Sequence, residues 1–362
     1  MTSQEERICR RLRLLYSDSD VDVLFEQCRS ALGDPTPSTG GDRWSENDAV
    51  LIAYPDQISH HDQPPLATLK SVLSEVDQIF STIHILPFFP SSSDDGFAVI
   101  DHCEVAEELG GWKNIESIST NNRVMADLVL NHVSASHRWV DEFRKDIDPG
   151  RRCLLTASPD VDLSAVVRPR TADLLVPCET INGVKHLWCT FSPDQVDVNW
   201  AEPEVLLETL RTLNCLLEAG VRWIRLDAVA YAQKRLGTTC VHLEETHELV
   251  RLLRDLLEWR CPDALLITET NVPHTENLSY LRDGMQAHLA YNFTLAPLLT
   301  HALITGSSER IAAWLRESEQ PPEGTTFLNF LASHDGIGVR PVEYLLNDSE
   351  IEMLLAATER AN

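Results

Sequence analysis

Two charged residues, Arg225 and Asp227, interrupt the apolar run VRWIRLDAV at 221–229. Successive side chains of a β-strand point to opposite faces, so these two side chains would point the same way. A guanidinium beside a carboxylate keeps that carboxylate ionised. Two hypotheses follow: a buried ion pair that only stabilises the fold, or a charged nucleophile held at the end of a strand.

Other polar side chains suited to an active site also stand where apolar runs end. They are carboxylates, histidines and an asparagine: Asp56, Asp127, Asn131, His132, Glu269, His334 and Asp335. One carboxylate at the end of a strand is common. Five such strand ends, counting that of Asp227, indicate a shared site.

The apolar runs predict seven buried β-strands. Their aliphatic and β-branched content is typical of parallel strands that are covered on both faces. They lie at 49–54, 83–89, 124–130, 221–229, 264–270, 287–293 and 326–333. Apolar residues recur at helical spacing between them, in stripes over 66–80, 205–217 and 249–257, and residues 3–32 predict one or two further helices. Gly220 is expected to end the helix of the second stripe.

The alternation of strands and helices predicts an α/β fold, either a (β/α)8 barrel or a doubly wound sheet. The polar strand ends favour the barrel, because barrel enzymes build their active sites from residues that follow several strands. One connection is unusually long, since about ninety residues separate the third strand from the fourth. The segment 133–200, which includes Arg168–Arg170, is therefore predicted to be an insertion over the mouth of the barrel.

The composition excludes several classes of function. The 362 residues are 43% hydrophobic, which is enough for a large core, and the net charge of −26 argues against a nucleic-acid or anionic-membrane partner. No apolar run is long enough to span a bilayer, and the N-terminus lacks the apolar centre of a signal peptide. Nine scattered cysteines without a CxxC pair predict free thiols in a reducing cytoplasm.

Four ordered motifs at the strand ends resemble the signature regions of the α-amylase superfamily, glycoside hydrolase family 13. They are DLVLNH (127–132), RLDAVA (225–230), ITET (267–270) and ASHDGIG (332–338), and QVDVN (195–199) is similar to the fifth region. Further stretches resemble the sucrose phosphorylase subfamily: HILPFFPSSSDDGF (84–97), VIDH (99–102), FSPDQVDVN (191–199) and SHDGIGVRP (333–341). Two more are most similar to its glucosylglycerate phosphorylase branch: GTTCVHLEETHELV (237–250) and LLITETNVPHTENLSY (265–280).

The resemblance implies a (β/α)8 TIM barrel with an inserted domain B after strand 3. It also implies a retaining mechanism with two carboxyl groups about 5–5.5 Å apart. Asp227 would be the nucleophile, Glu269 the acid/base, and Asp335 the residue that stabilises the transition state. The implied substrate-binding residues are Asp56, His102, His132, Phe191, Gln195, Arg225 and His334. Asp127 is expected to brace its strand end, and Phe97 to pack within its loop.

The implied function is a retaining phosphorylase, a hexosyltransferase that converts an α-glucoside and phosphate to α-glucose 1-phosphate. The expected substrate is glucosylglycerate, the expected partners are small molecules only, and no cofactor is expected beyond phosphate as co-substrate. One alternative is a sucrose phosphorylase, because that subfamily carries His at the position of His102 whereas the glucosylglycerate branch more often has Tyr. Another is a different family 13 α-glucosidase or transglucosidase. The sequence does not specify an oligomeric state.

The implied domains are the N-terminal part of the barrel at 1–132, domain B at 133–200 and the rest of the barrel at 201–362. Family members continue with an eighth strand and a C-terminal β domain. Residues 341–362 instead predict one helical stripe, made of Tyr344, Leu345, Ile351, Leu354 and Leu355. The expectation is therefore a C-terminally truncated barrel without its eighth strand. This raises a rival hypothesis of another class, an inactive remnant of a phosphorylase.

No metal site is expected. The histidines of HLEETH (242–247) are five positions apart, which places them ~140° from each other on a helix and not on one face, as a zinc protease requires. The sequence His60-His61-Asp62 beside two prolines predicts a surface loop. A calcium ion near Asn131, as in many amylases, is an alternative, although the sucrose phosphorylase subfamily typically does without it.

Overall fold

The computed structural model describes residues 2–76 and 79–361, and the chain divides into two compact units, Met1–Leu265 and Leu266–Asn362. The α-helices described are α1 (Ser3–Leu15), α2 (Val21–Leu32), α3 (Pro65–Leu73), α4 (Trp112–Ser119), α5 (Arg138–Arg144), α6 (Gly150–Cys153), α7 (Pro203–Glu218), α8 (Glu244–Arg260), α9 (His274–Leu278), α10 (Leu295–Thr305), α11 (Glu309–Glu317) and α12 (Asp348–Ala361). The strands described are β1 (Val50–Ala53), β2 (Thr82–Ile85), β3 (Arg123–Val129), β4 (His132–Ser134), β5 (Leu175–Thr180), β6 (Gly183–Trp188), β7 (Gln195–Asp197), β8 (Val221–Asp227), β9 (Leu265–Thr268), β10 (Leu289–Tyr291) and β11 (Thr326–Leu328). Each of the seven predicted strands is present; β3 has the predicted length, shifted by one residue, and the other six are shorter than predicted.

The first unit contains a parallel ladder in which β1 pairs with β2, β2 with β3, and β3 with β8. Every residue of β2 is buried, and so are all but the first residue of β3 and the second of β8. This burial is the expected state of aliphatic parallel strands covered on both faces. The register between β3 and β8 places Asp127 opposite Arg225.

Two of the three predicted helical stripes of the first unit coincide with observed helices, and the third is longer than the observed helix. α7 and α8 cover the second and third stripes, and Gly220 adopts a positive φ of 87° just after α7, as predicted. The first stripe was expected to reach residue 80, but α3 ends at Leu73. The hydroxyls of Ser71 and Ser74 donate to backbone carbonyls one turn earlier, and this local bonding weakens a helix end.

The predicted N-terminal helices are α1 and α2, which pack against α8 and α7 respectively. Arg11 of α1 is buried, and its guanidinium donates to Asp255 at 2.7 Å and to Glu248 at 2.8 Å. Two carboxylates balance the charge of this buried cation, which joins α1 to α8.

The predicted insertion at 133–200 lies within the first unit. β4 and β7 form an antiparallel ladder at its two ends, with His132 opposite Asp197 and Ser134 opposite Gln195. Between them, β5 and β6 form a hairpin. Leu174, Trp188 and Cys240 form a small apolar cluster in this region. The exact domain boundaries stay a prediction.

The second unit contains the parallel strands β9, β10 and β11, paired in that order. An apolar cluster of Leu298, Trp314, Val342, Leu346 and Leu354 holds its helices together. The predicted C-terminal stripe is only partly correct. Leu345 and Ile351 also pack against the cluster, but Tyr344 is 86% exposed. Among the described residues from 329 to 361, the chain forms a short 3₁₀ turn and α12 and adds no strand.

No helix among the described residues has both the length and the apolar content needed to cross a bilayer. All nine cysteines are free thiols.

Candidate active site

Arg225 and Asp227 lie on the same side of β8, as strand alternation predicts. One guanidinium nitrogen of Arg225, Nη1, donates to Asp227 Oδ1 at 2.7 Å and to Asp127 Oδ1 at 2.5 Å. The other carboxylate oxygen of Asp127 lies 2.9 Å from His84 Nε2. A continuous polar chain therefore runs from His84 through Asp127 and Arg225 to Asp227.

The two carboxylates that share Arg225 differ in access to solvent. The side chain of Asp127 is fully buried, whereas that of Asp227 is 12% exposed. Burial raises the pKa of Asp127, but His84 and Arg225 outweigh it and hold this pKa at about 2. Asp127 is thus ionised and engaged through both oxygens, which fits the expected bracing role.

The backbone turns sharply immediately after Asp227. Ala228 has a φ of 49°, in the left-handed region that residues with a Cβ rarely adopt. Such strain persists only where the surrounding structure enforces it, and it often marks functional sites. No pattern in the sequence points to this conformation.

Phe97 contributes more than the loop packing that was expected. The guanidinium carbon of Arg225 lies 5.6 Å from the centre of the Phe97 ring, within range of a cation–π interaction. The backbone carbonyl of Phe97 also lies 3.2 Å from Nε2 of His132. Phe97 therefore connects the arginine to one of the candidate binding residues.

His132, Phe191 and Gln195, three of the implied substrate-binding residues, lie together in the first unit. Gln195 Nε2 lies 3.0 Å from His132 Nε2 and donates to Asp94 Oδ2 at 2.8 Å. The ring of Phe191 lies between those of His132 and Tyr231, with centroids 5.4 Å from each. Burial lowers the pKa of His132, so this imidazole is neutral near pH 7.

His102 and Asp56 occupy the loops that follow β2 and β1. Burial lowers the pKa of His102 to about 3, and its ring lies 5.7 Å from that of Phe89. Asp56 is exposed in the turn after β1. Among the described residues of the first unit, no hydrogen bond or ion pair joins the Asp56 side chain to the other candidates of that unit.

Glu269, His334 and Asp335 belong to the second unit. Glu269 directly follows β9 and is partly exposed, and the next residue, Thr270, is held by a 2.7 Å hydrogen bond to Asn277. His334 Nε2 lies 3.3 Å from Asp335 Oδ2. These two residues stand in a turn six and seven positions beyond the end of β11, because this strand ends at Leu328 and not at Ser333.

The buried ammonium of Lys234, which lies near Asn131, was not anticipated from the sequence. Its ammonium lies 2.7 Å from Asn131 Oδ1 and 2.7 Å from Asp197 Oδ2, and the side chain is only 5% exposed. Asp197 also accepts hydrogen bonds from the backbone and the hydroxyl of Thr190. The amide and carboxylate oxygens that a calcium ion near Asn131 would need thus already contact a positive charge, so this set does not fit a divalent ion as well.

One other group among the described residues brings possible metal ligands together. His60, His61 and Asp62 have ligand atoms within 4.8 Å of one another, and all three residues are exposed. This exposure agrees with the predicted surface loop.

The sequence of residues 54–336 matches the family model of the alpha-amylase catalytic domain, which is more than half of the chain. The chain belongs to the α-amylase family. It is 46% identical to a glucosylglycerate phosphorylase of Allomeiothermus silvanus over 97% of this chain and 63% of that protein. It is 33% identical to a sucrose phosphorylase of Agrobacterium vitis over 81% of this chain and 60% of that protein.

The fold is also similar to that of a solved member of the family. The crystal structure of sucrose 6F-phosphate phosphorylase from Thermoanaerobacter thermosaccharolyticum matches with a TM-score of 0.78 at 25% identity, covering 88% of this chain and 66% of that one. The predicted α/β barrel class of the family is thereby confirmed. The chain spans less than two thirds of the length of the curated relatives it matches.

Proposed function

We propose that the protein is a retaining glycoside phosphorylase that converts glucosylglycerate and phosphate to α-glucose 1-phosphate and glycerate. The observation that carries this proposal is that the two carboxylates bound to Arg225 differ in their exposure to solvent. Asp127 is fully buried, whereas Asp227 keeps an ionic contact and partial access to solvent. An ionised carboxylate that a sugar can reach is the group that a retaining mechanism requires as its nucleophile. The similarity to glucosylglycerate phosphorylase supports the substrate.

The reaction has two displacement steps. The Asp227 carboxylate attacks the anomeric carbon, the bond to the glycerate oxygen breaks, and Glu269 gives its proton to that oxygen. A phosphate oxygen then attacks the same carbon and displaces Asp227, while Glu269 takes back a proton from phosphate. Two inversions give α-glucose 1-phosphate with net retention. Asp335 stabilises the positive charge that develops on the sugar ring in both transition states.

The remaining candidate residues bind the glucosyl group in this proposal. Neutral imidazoles suit this role because each offers one donor and one acceptor to sugar hydroxyls, and burial keeps both His102 and His132 neutral near pH 7. Gln195 adds an amide, and Phe191 presents an aromatic ring beside His132. Asp56 and His334 complete the proposed set of glucose ligands.

The substrate is tested by the initial rate of glucose 1-phosphate release from glucosylglycerate, sucrose and glucosylglycerol, each with phosphate. We expect the fastest release from glucosylglycerate. Faster release from sucrose would overturn the choice of substrate, and release of free glucose at the same rate with and without phosphate would overturn phosphorolysis.

The nucleophile is tested by Asp227→Asn, which keeps the shape of the side chain and removes its charge. We expect a loss of more than about a thousandfold in turnover, because no other group can form the glycosyl-enzyme. The matched control is Asp141→Asn, which changes an exposed carboxylate of α5 and should leave turnover within about twofold. Substantial turnover by a folded Asp227→Asn variant would contradict the mechanism.

Sucrose phosphorolysis is the second candidate function. The specific observation in its favour is His102, the residue that the sucrose phosphorylase subfamily carries at this position, together with the similarity to a sucrose phosphorylase. The expectation to be tested is that His102→Tyr reduces activity on sucrose more than activity on glucosylglycerate.

We also propose that the protein needs no metal or organic cofactor and works in the reducing cytoplasm. The ammonium of Lys234 supports the absence of a required metal ion, since it supplies the positive charge between Asn131 and Asp197 that a calcium ion would otherwise supply. The nine free thiols support the second. Prolonged dialysis against a chelator should leave activity unchanged, and cell fractionation should recover the protein with cytoplasmic markers.

A further inference from the structure

Three consecutive residues in the loop after β2 have a left-handed backbone. Asp94, Asp95 and Gly96 have φ values of 56°, 50° and 105°, and they are called the strained turn below. Residues with a Cβ rarely adopt this region, and such strain persists only where the surrounding structure enforces it. Close packing explains the glycine, because a Cβ at Gly96 would lie 3.0 Å from Cβ of Pro87 and 3.1 Å from its carbonyl oxygen. The two aspartates need other contacts to hold them.

The strained turn sets the position of groups in the candidate active site. Asp94 Oδ2 accepts a hydrogen bond from Gln195 Nε2 at 2.8 Å. Phe97 follows the turn directly, and its carbonyl lies 3.2 Å from His132 Nε2 while its ring lies 5.6 Å from the guanidinium carbon of Arg225. Any movement of the turn would therefore change contacts with three of the implied substrate-binding residues.

Backbone hydrogen bonds close the loop around the strained turn. The Ser92 N–H donates to the Ala98 carbonyl at 3.0 Å. The Ser93 carbonyl accepts from the N–H of Gly96 at 3.3 Å and from that of Ala98 at 3.2 Å. These bonds are local to the loop, so they do not attach it to the predicted insertion.

Asp194 of the predicted insertion makes that attachment. Its Oδ2 accepts hydrogen bonds from the hydroxyl of Ser92, at 2.6 Å, and from the hydroxyl of Ser93. The Ser92 hydroxyl also lies 2.6 Å from that of Ser134 in β4, and the Asp194 carbonyl accepts from the Ala135 N–H at 2.9 Å. Hydrogen bonds to a carboxylate are stronger than those between neutral groups. One carboxylate oxygen thus holds both serines that precede the strained turn.

We propose that Asp194 is a positioning residue for the glucosyl group. It holds the strained turn through Ser92 and Ser93, and so keeps Asp94 and Phe97 in place, without touching the sugar itself. Without this carboxylate the two hydroxyls lose their shared acceptor, and the turn is free to relax. This inference rests on the proposed function, because the residues that the turn positions are those assigned there to the glucosyl group. They bind that group before and during the reaction, so their displacement should raise KM more than it lowers kcat.

Amide hydrogen exchange tests the contact without any substrate. We expect Asp194→Ala to speed up exchange of the hydrogen-bonded amides in residues 92–98 by about tenfold, because the loop opens more often once it is detached. The matched control is Asp160→Ala, which removes an exposed carboxylate of the same insertion and should leave this exchange unchanged. A cooperative thermal melt verifies that each variant is folded. Unchanged exchange in a folded Asp194→Ala variant would overturn the role of Asp194.

Steady-state kinetics with glucosylglycerate and phosphate test the positioning role. We expect Asp194→Ala to raise KM for glucosylglycerate by about tenfold and to keep kcat within about threefold. Asp194→Asn retains an oxygen that can accept from both hydroxyls, so it should keep KM within about threefold of the unmodified protein. An unchanged KM in Asp194→Ala, or a KM as high in Asp194→Asn as in Asp194→Ala, would contradict the proposal.

A double-mutant cycle tests whether Asp194 acts through the two serines. The combined Ser92→Ala and Ser93→Ala variant should raise KM about as much as Asp194→Ala, and adding Asp194→Ala to it should have no further effect. Additive effects would show that Asp194 acts by another route and would overturn the proposal. Absence of glucose 1-phosphate release by the unmodified protein would overturn the proposed function and the sugar-binding role of the turn together, whereas unchanged hydrogen exchange would overturn the role of Asp194 alone.

Discussion

Two buried cations, Arg225 and Lys234, organise neighbouring parts of the first unit in different ways. Arg225 stands within β8 and contacts carboxylates on its own strand and on β3. Lys234 follows β8 and contacts Asn131, just after β3, and Asp197, in β7 of the predicted insertion. The first cation acts within a parallel ladder, and the second joins the ladder to the insertion.

The difference lies in what sets the partners of each cation. Alternation along β8 places Asp227 beside Arg225, and the register with β3 adds Asp127, so regular strand geometry is sufficient. Lys234 meets Asp197 only because β4 and β7 pair at the base of the insertion. The contacts of Arg225 with Asp127 and Asp227, the Arg225 network, therefore depend on the pairing of β3 with β8. The contact of Lys234 with Asp197 depends on how the predicted insertion packs against these strands.

The largest expected effect on stability comes from Arg225→Met. It would leave two carboxylates, Asp127 and Asp227, without their shared cation in a buried place. We expect a loss of about 3–5 kcal/mol in the free energy of unfolding, measured by urea denaturation. The control is Arg222→Met on the same strand, because Arg222 bonds only to backbone carbonyls in the contacts described here. Equal losses in the two variants would contradict the central role of the Arg225 network.

A smaller loss is expected from Lys234→Met. Asp197 would lose its cation but keep two hydrogen bonds from Thr190, so we expect about 2–3 kcal/mol by the same measurement. Thr190→Val removes one neutral donor and should cost about 1 kcal/mol. If Lys234→Met lowered the free energy of unfolding no more than Thr190→Val does, the ammonium would not be the group that joins the insertion to the parallel strands.

The smallest expected effect is the acid dependence that Asp127 contributes. Its pKa of about 2 lies below the ordinary value near 3.9, so its ionised form stabilises the fold above about pH 4. This contribution, about 2 kcal/mol, should be lost as the pH falls from 4 to 2. Asp127→Asn should be less stable than the unmodified protein at pH 7 and should lose less stability over that acid range. If the free energies of unfolding of the two proteins fell in parallel between pH 4 and 2, the low pKa of Asp127 would be contradicted.

The contribution of buried histidines to stability begins to be lost at higher pH than that of Asp127, and only for His137 does this loss lie above the Asp127 range. Burial lowers the pKa of His102 to about 3 and that of His137 to about 4, both from an ordinary value near 6.5. Each of them therefore stabilises the fold fully above pH 6.5 and less as the pH falls below it. His137→Asn should reduce the pH dependence of the free energy of unfolding between pH 6.5 and 4. It should leave the pH dependence between pH 4 and 2, which Asp127 contributes, unchanged.

Much of the fold could be predicted because the signals are local. Aliphatic runs identified the seven strands, helical spacing identified α7 and α8, and Gly220 marked the end of α7. The C-terminal limits of α3 and β11 were wrong, because apolar spacing continues beyond the point where backbone hydrogen bonding stops. Phe97 was underestimated because its contacts with Arg225 and His132 come from distant parts of the chain.

The sequence by itself determined the Arg225–Asp227 pair, since two residues that alternate along one strand share a face whatever surrounds them. It also identified the family, through motifs that stand in a fixed order at the strand ends. Only the tertiary structure decided that Asp127 is fully buried while Asp227 is not, and that Lys234 contacts Asp197 in the predicted insertion. These facts depend on contacts between residues far apart in the chain, and local spacing carries no information about such contacts.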